Sequence, residues 1–387
     1  MSAQRPQLQR AGSAGEHAGY STAMVMSRTP FRISFFGGGT DYPAWFRAHG
    51  GAVLATTINK YCYISCRYLP PFFAHKIRVV YSLIENCQDV AEIRHPAVRE
   101  VLRYLSIGKG VEIHHDADLP ARSGMGSSSA FTVGLLHALH ALKGQIPTVR
   151  QLSSESIYVE QELLKEAVGC QDQVLAAYGG FNHITFPRSG DVTVQPMTLP
   201  FERINELNSH LMLFFTGVSR TASEIAQSYV QALESKERVM RTMHDMVKEG
   251  ISILNSTENL QNFGALLHEG WLLKQSLGAK ISNDYVEQLY QEARAAGALG
   301  GKLLGAGGGG FMLLFVCPRD QEQVREKLRR LIYVPFSFEF SGSRIIFFDP
   351  EEDYSKDEKV RANEHAQMFR EPSRELSEAR LTESHLD

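Results

Sequence analysis

The part of the sequence that most constrains the fold is residues 118–130, DLPARSGMGSSSA, which continue directly into the apolar residues 131–142. Gly124 and Gly126 carry no Cβ, so the backbone there can bend sharply and approach a ligand closely. Three serines follow, and serine is a favoured cap at the start of a helix. Apolar residues then recur at helical spacing, namely Ala130, Val133, Leu136 and Leu139. This pattern predicts a tight loop that opens into a buried amphipathic helix.

The start of such a helix is a favourable place for a phosphate group. Its first backbone N–H groups have no partner within the helix, and the positive end of the helix dipole attracts anions. An ordinary glycine- and serine-rich loop in front of a core helix fits the same residues. The stretch by itself therefore leaves both interpretations open.

Length and composition limit the class of protein. A chain of 387 residues is long for one hydrophobic core, so two domains are expected. The apolar content of 43% and charged content of 21% are ordinary for a globular enzyme. The net charge of −3 gives no electrostatic reason to expect a nucleic acid or a membrane as partner.

The five cysteines are odd in number and widely spread, which is typical of a reducing compartment and favours a cytoplasmic location. Cys62 and Cys66 have no second pair of metal ligands nearby, which favours packing within a strand over a zinc site. Residues 1–26 lack the apolar segment of a secretory signal and are predicted to form a disordered extension.

The order of the predicted elements indicates an α+β protein. The first half contains strands at 28–36, 52–66, 77–82 and 110–115, with a helix at 95–105. The second half reads as a split βαβ sandwich, with strands at 210–216, 311–316, 336–340 and 344–348 and helices at 260–277, 284–296 and 321–331. The predicted domains are therefore 27–205 and 206–350, followed by a charged tail at 351–387.

Two acidic residues late in the first half are candidates for chemistry. The helix that Thr148 is predicted to cap carries Ile157, Glu160 and Leu164 on one stripe. An unpaired carboxylate on an apolar face is costly, so Glu160 requires a metal ion or a cation as partner, unless that face is only half buried. Asp172 follows a glycine at what is predicted to be another helix start.

Three glycine-rich loops occur at 37–39, 124–126 and 305–310. The last formally matches the dinucleotide-binding pattern, but that pattern must follow a strand and open a helix. Here a helix is predicted before it and a strand after it, which excludes a nicotinamide site. Lys302 follows a glycine but precedes Leu303, so a Walker-type phosphate loop is excluded as well.

Three segments resemble the three signatures of the GHMP kinases, the superfamily of galactokinase, homoserine kinase, mevalonate kinase and phosphomevalonate kinase. They are 30–42, 120–130 and 302–311, in the family's order. The resemblance implies a two-domain fold, with an N-terminal domain like ribosomal protein S5 domain 2 and a C-terminal ferredoxin-like domain. Residues 37–42, 171–173 and 179–182 are similar to the bacterial branch that phosphorylates heptose 7-phosphate at the anomeric position.

The resemblance also implies roles for individual residues. The phosphates of ATP would be wrapped by Gly124, Met125, Gly126, Ser127, Ser128 and Ser129. Mg²⁺ would be held by Glu160 together with Ser127 or Ser128. Asp172 would take the proton of the sugar hydroxyl, or only orient it, with Arg32 close by to steady the transferring phosphoryl group.

The sugar itself would be bound by Asp41 and by the backbone at Gly38, Gly39, Gly180, Gly307 and Gly308. Galactokinase-like members carry a Glu-His pair where this chain has Gly38 and Gly39, which implies a larger pocket here. A phosphate at the far end of the sugar requires a cationic clamp. The sequence offers Arg122, Arg220 and Lys302 for it, and each also fits a solvated surface charge.

Structural explanations exist for the same residues. Arg32 fits a strand surface, Asp41 a turn, Asp172 a helix cap and Glu160 a half-exposed ion pair. The resemblance nevertheless favours an ATP- and Mg²⁺-dependent kinase for a sugar phosphate, with heptose 7-phosphate giving the 1,7-bisphosphate. The alternatives are another sugar 1-kinase, acting on fucose, galactose or an octose phosphate, or a catalytically silent sugar sensor. A homo-oligomer is left open.

Overall fold

The computed structural model describes residues 24–69, 72–107, 110–121, 123–217, 236–257, 259–278, 281–305 and 307–349. Nearly all of the two predicted tails lies outside these residues, as do Arg122 and Arg220. Residues 24–26, which were assigned to the N-terminal extension, are instead the start of the first strand. Within the described ranges, no helix combines the length and the apolar character needed to cross a membrane.

The first part of the chain forms strands and helices in the order expected for an α+β fold. Its strands are β1 Met24–Phe36, β2 Gly51–Tyr68, β3 Ile77–Val80, β4 Ile84–Cys87, β5 Val111–Ala117, β6 Phe181–Phe186 and β7 Thr193–Pro196. Its helices are α1 Pro43–His49, α2 Pro96–Tyr104, α3 Ser127–Leu142, α4 Val149–Tyr158, α5 Gln171–Tyr178 and α6 Phe201–Ser209. Strand β2 is the centre of this sheet, because it pairs with β1, β5 and β6.

The second part builds a separate sheet. Its elements are β8 Leu211–Phe215, α7 Glu237–Asn255, α8 Gln261–Ser276, α9 Asp284–Ala295, β9 Ala298–Leu303, β10 Phe311–Val316, α10 Gln321–Lys327 and β11 Ile332–Tyr333. Among these described strands the spatial order is β11-β8-β10-β9, and the pairings are antiparallel. This is the strand order of a ferredoxin-like split βαβ unit, so that prediction is confirmed.

The last two strands, β12 Phe338–Glu339 and β13 Arg344–Asp349, return to the first sheet. Strand β13 pairs antiparallel with β1, and β12 pairs with β2. The prediction that these strands complete the second domain is therefore wrong. The proposed boundary at 205 also lies inside a helix, α6, so the division at 205/206 has no break in structure behind it.

Helix α8 of the second part meets the first sheet at a cluster of aromatic rings around Phe35 of β1. Its ring makes edge-on contacts with Phe181 at 5.7 Å, Phe263 at 5.4 Å and Phe338 at 6.3 Å between centroids. These partners come from β6, α8 and β12, so residues from both halves of the chain pack on one ring. Edge-to-face pairs of this kind add about 0.5–1.5 kcal/mol each beyond the area that they bury.

Helix α3 lies in the middle of this arrangement. Twelve of its sixteen residues are buried, including Thr132 and His140. The sequence predicted an amphipathic helix, but both faces are covered, because β1 and β2 pack on one side and α4 and α5 on another. A helix enclosed in this way holds the loop in front of it at a fixed place.

Candidate active site

The loop at 123–126 leads into α3 through Gly126, which is the cap residue and has a φ of 74°. The prediction that a serine caps this helix is wrong, since the three serines form its first turn. The cap residue has no side chain to accept hydrogen bonds from the first N–H groups of the helix. The first turn therefore presents the N–H groups and dipole end that favour an anion.

The third glycine-rich loop, at 305–310, packs directly against the loop at 123–126. A Cβ added to Gly124 would clash with the carbonyl oxygen of Leu304, and one added to Gly310 would clash with that of Ser123. The N–H of Phe311 donates to the Ser123 carbonyl at 3.3 Å. The glycines thus permit two backbones from different halves of the chain to touch.

Arg32 and Asp172 form the centre of the site. The Nε and Nη2 atoms of Arg32 donate to the two oxygens of Asp172, both at 2.7 Å. The remaining Nη1 donates to the carbonyl of Gly124 at 2.6 Å, and the Arg32 N–H donates to that of Met125 at 3.2 Å. Such bidentate charge-assisted bonds fix both groups, so Arg32 joins Asp172 to the loop before α3.

The exposure of this pair decides between the alternatives raised by the sequence. The side chain of Arg32 is only 6% exposed, which excludes a strand-surface role, whereas that of Asp172 is 24% exposed. Asp172 lies in the first turn of α5, whose cap residue is Cys170 and shows no side-chain cap. Asp172 is therefore a partly open carboxylate beside the loop.

Asp41 is buried, with 1% of its surface exposed. Its carboxylate accepts hydrogen bonds from the N–H of Gly39 at 2.8 Å and from the N–H and Nε2 of Gln171 at 3.1 and 3.3 Å. Burial raises the pKa of Asp41 to about 6, and the negative charge of Asp172 raises it further, while the bonds from Gly39 and Gln171 oppose the shift. Asp41 thus forms part of the turn, as one alternative proposed, and it is also electrostatically coupled to Asp172.

Glu160 is completely buried, on a π-helical turn, Val159–Leu163, that continues α4. Its Oε2 accepts from Ser129 Oγ at 2.9 Å and from Gln173 Nε2 at 2.5 Å, while its Oε1 has no hydrogen-bond partner among the described residues. Burial raises the pKa of Glu160 to about 8, and the nearby charge of Glu166 adds to the shift. The half-exposed ion pair is therefore excluded.

An orphaned buried carboxylate oxygen fits a cation. Ser127 and Ser128 stand in the same first turn of α3 as Ser129 and are more exposed than it. Serine hydroxyls, a carboxylate and phosphate oxygens are the oxygen ligands that Mg²⁺ accepts. The residues present thus fit the ion that the resemblance implied.

The five glycines predicted to bind the sugar lie in three separate places. A Cβ on Gly38 would lie 3.3 Å from Ser34 Oγ and 3.5 Å from Gln171 Nε2, and Gly39 donates to Asp41, whose carboxylate also accepts from the N–H of Gln171. Gly180 instead bonds to Thr57 and to the carbonyl of Glu339 in β12. Gly307 and Gly308 pack against Ile281. Of the five, Gly38 and Gly39 are the ones whose described contacts are with Gln171 and Asp41, and Asp41 is the residue that is electrostatically coupled to Asp172.

One charged residue near the site, Lys274, is not among the residues predicted from the sequence. It is 8% exposed, and its Nζ donates to the carbonyls of Gly305 and Leu303, where the third glycine loop begins. Its signal was present, because Lys274 continues the buried stripe of α8 that contains Phe263, Leu267 and Trp271. A lysine on an apolar stripe requires a partner for its buried charge, as Glu160 does on its own stripe.

Of the three candidates for a distal phosphate clamp, only Lys302 lies within the described residues. Arg122 and Arg220 lie outside the described residues. Lys302, in β9, is partly buried and its Nζ donates to the carbonyl of Phe35 at 2.9 Å. It is therefore not a solvated surface charge.

Comparison with known proteins agrees with this architecture. The model of the GHMP kinase N-terminal domain matches residues 92–180, and that of the C-terminal domain matches residues 251–334. The chain is 28% identical to a D-glycero-alpha-D-manno-heptose 7-phosphate kinase of Campylobacter jejuni, over 79% of this chain and 93% of the relative. It is 25% identical to a bifunctional fucokinase/GDP-fucose pyrophosphorylase of Arabidopsis thaliana, over 78% of this chain and 30% of the relative.

Solved structures show the same fold. A D-glycero-D-manno-heptose 1-phosphate kinase from Bacteroides thetaiotaomicron matches with a TM-score of 0.68 and 24% identity, covering 84% of this chain and 99% of its own. A Lactococcus lactis galactokinase complexed with galactose matches with a TM-score of 0.65 and 17% identity, covering 83% and 95%.

The fold and the two matched domains identify the chain as a phosphotransferase with an alcohol group as acceptor. The chain carries the N- and C-terminal domains of the GHMP kinases and belongs to that class. Kinases of this class use ATP as phosphate donor and act on small molecules, and its relatives include sugar kinases.

Proposed function

We propose that the protein transfers the γ-phosphoryl group of ATP to the anomeric hydroxyl of a sugar phosphate, with D-glycero-D-manno-heptose 7-phosphate as the substrate. The observation that carries this proposal is the Arg32–Asp172 pair, which is hydrogen-bonded to the loop before α3 and electrostatically coupled to Asp41 in the Gly38–Asp41 turn. A phosphate on that loop and a sugar on that turn would both lie next to one partly open carboxylate.

The nucleotide is the ligand for the loop at 124–129. The uncapped first turn of α3 supplies N–H donors to the phosphates, and Gly126 lets them approach. Glu160, with Ser127 or Ser128, would hold Mg²⁺, which when bound neutralises charge on the phosphates. Ser129 and Gln173 keep the Glu160 carboxylate in place through hydrogen bonds to its Oε2.

Asp172 acts on the acceptor. The anomeric hydroxyl gives its proton to a carboxylate oxygen of Asp172 while its oxygen bonds to the γ-phosphorus, and the bond from that phosphorus to the bridging oxygen of ADP breaks. Arg32 keeps Asp172 oriented and supplies positive charge beside the transferring group. Positioning and charge neutralisation account for most of the catalysis in phosphoryl transfer.

The choice of sugar rests on the turn and on the relatives. Gly38 and Gly39 leave space where side chains would otherwise narrow the acceptor site. Heptose phosphate kinases are among the proteins that this chain resembles, both in sequence and in fold. Fucokinase and galactokinase are among them as well, so fucose, galactose and an octose phosphate remain the competing acceptors.

The test is ADP release with MgATP against a panel of sugars, with and without phosphate at the far end. The proposal expects turnover on heptose 7-phosphate at a kcat/KM well above that on free fucose or galactose. A preference for an unphosphorylated sugar would retain the kinase and eliminate the heptose assignment. Binding of ATP and sugar without turnover on the whole panel would favour a silent sensor on the same fold.

A further inference from the structure

Two lysines meet where the end of β1 approaches the third glycine loop. The Nζ of Lys302 donates to the carbonyl of Phe35 at 2.9 Å. The Nζ of Lys274 donates to the carbonyls of Gly305 and, at 3.5 Å, Leu303. Helix α8 supplies one ammonium group and strand β9 the other, and the positive charge of Arg32 on β1 acts on both.

Neither ammonium has a carboxylate within 4.0 Å in the part of the chain that the structure describes. Arg32, by contrast, is paired with Asp172. A buried charge is normally paired with an opposite charge, because carbonyl oxygens alone replace its hydration incompletely. Two neighbouring ammonium groups with only carbonyl partners lack an anion.

We propose that Lys274 and Lys302 form an anion subsite that binds a phosphate group of a substrate, at the junction of β1, α8 and β9. This inference rests on the proposed function, and the phosphate is either the distal phosphate of the sugar or one belonging to the nucleotide. The ligand chemistry is the same, so the test must separate the two sources.

The electrostatics of the cluster agree with this assignment. Burial lowers the pKa of Lys274 to about 8, and Arg32 lowers it further, while Asp41 and Asp172 raise it. Burial, then Lys274 and Arg32, lower the pKa of Lys302 well below its ordinary value. Arg32 thus destabilises the charge of both lysines and Lys274 that of Lys302, and an incoming dianion would restore both charges and take up protons.

The experiment is isothermal titration calorimetry at pH 8.5 in two buffers of different ionisation enthalpy. The ligands are heptose 7-phosphate, the same heptose without phosphate, and a non-hydrolysable MgATP analogue. The proteins are wild type, Lys274→Met, Lys302→Met and Lys274→Arg, with Lys327→Met as control because Lys327 is exposed on α10. Thermal unfolding of each variant confirms that it is folded.

We expect each methionine variant to bind the sugar phosphate at least 10-fold more weakly and to lose the proton uptake of the wild type. Heptose without phosphate should bind all variants alike, and Lys274→Arg should retain most of the affinity. A loss confined to the ATP analogue would support the subsite and assign the phosphate to the nucleotide.

The subsite would be overturned if the methionine variants bound each phosphate ligand as tightly as the wild type does. It would also be overturned if they lost as much affinity for the sugar without phosphate as for the sugar phosphate. If Lys274→Met does not fold, Lys302→Met and Lys274→Arg decide the question. Failure of the kinase proposal has a different signature, because the wild type would then release no ADP on any sugar.

Discussion

At the scale of single residues, the orphaned oxygen of Glu160 is the feature that most directly requires a ligand. A buried carboxylate whose Oε1 has no partner is costly without a cation. We expect Glu160→Gln to raise the Mg²⁺ concentration for half-maximal rate by about 10-fold or more, in line with losses at other metal sites. Direct titration of Mn²⁺ into the protein with ADP should show the same weakening.

Glu155 provides the matched control, because it is equally buried but bonds to His140 at 2.6 Å. Glu155→Gln should lower the thermal stability and leave the Mg²⁺ requirement unchanged. Equal metal dependence in both variants would contradict a metal role for Glu160.

Asp41 predicts a dependence on pH. Because the pKa of Asp41 is raised to about 6, its carboxyl is neutral below that pH and ionised above it. An ionised carboxylate accepts hydrogen bonds from sugar hydroxyls more strongly than a neutral acid does. We therefore expect kcat/KM for the sugar to fall as the pH drops through about 6, since this ratio reports ionisations of the free enzyme.

The control is Asp41→Asn, which cannot titrate and should lack this limb of the pH profile. The same limb in the asparagine variant would assign the dependence to another group. kcat/KM for ATP, measured over the same range, shows whether the effect belongs to the acceptor side.

At the scale of structural elements, the contact between the two glycine loops is the critical feature. Gly124 has a φ of +80°, and a Cβ there would clash with the Leu304 carbonyl. Gly144 has a φ of +70° but nothing within 4 Å. Alanine at either position carries a similar backbone cost, of about 1–2 kcal/mol, so only Gly124→Ala should also displace the loop.

We expect Gly124→Ala to raise KM for ATP by about 10-fold or more and Gly144→Ala to leave it unchanged. Steady-state kinetics at saturating sugar give this comparison, and thermal unfolding shows that both variants are folded. Similar KM values would mean that the loop contact does not position the nucleotide.

The sequence was informative about elements wherever local pattern determines them. The helices at 260–277 and 284–296 were found close to their true bounds, Gln261–Ser276 and Asp284–Ala295. Strand β9 was missed because glycine is rare in strands. Gly300 is required there, since a Cβ would clash with the carbonyl of Gly264 in α8. That requirement comes from a distant helix and leaves no local signal.

The site residues likewise divide into those that a local motif predicts and those that it does not. Arg32, Asp172 and Asp41 were identified because they lie in motifs, whereas Lys274 lies on a helix that no motif covers. Ser129, rather than Ser127 or Ser128, bonds to Glu160, and the helix begins at Ser127, at least one residue earlier than the serine-cap prediction requires. Side-chain direction in the first turn depends on that single residue of register.

At the scale of the whole molecule, the last described strands, β12 and β13, return to the first sheet, where they pair with β2 and β1. Phe338 of β12 is 9% exposed and packs on Phe35 and Phe181. It lies beyond residue 334, where the match to the C-terminal domain ends. We expect Phe338→Ala to lower the free energy of unfolding by about 3–5 kcal/mol, the range for buried phenylalanine. Urea unfolding monitored by circular dichroism measures this.

Phe340 is the control, because it is two residues away and 56% exposed. Phe340→Ala should change stability by less than about 0.5 kcal/mol. A small effect of both variants would show that the return of the chain to the first sheet contributes little. The strands themselves were predicted from sequence, but their sheet was not, because pairing with β1 and β2 is a contact across some 300 residues.

The most direct test of the account is the product formed from MgATP and heptose 7-phosphate, identified by phosphorus NMR. The wild type should yield ADP and a sugar with a second phosphate on the anomeric oxygen. Asp172→Asn should form it about 10²–10⁴ times more slowly, the usual contribution of a general base, while Asp191→Asn, at an exposed loop position, should match the wild type. Phosphate on another hydroxyl, or undiminished turnover in Asp172→Asn, would contradict the chemistry assigned to this site.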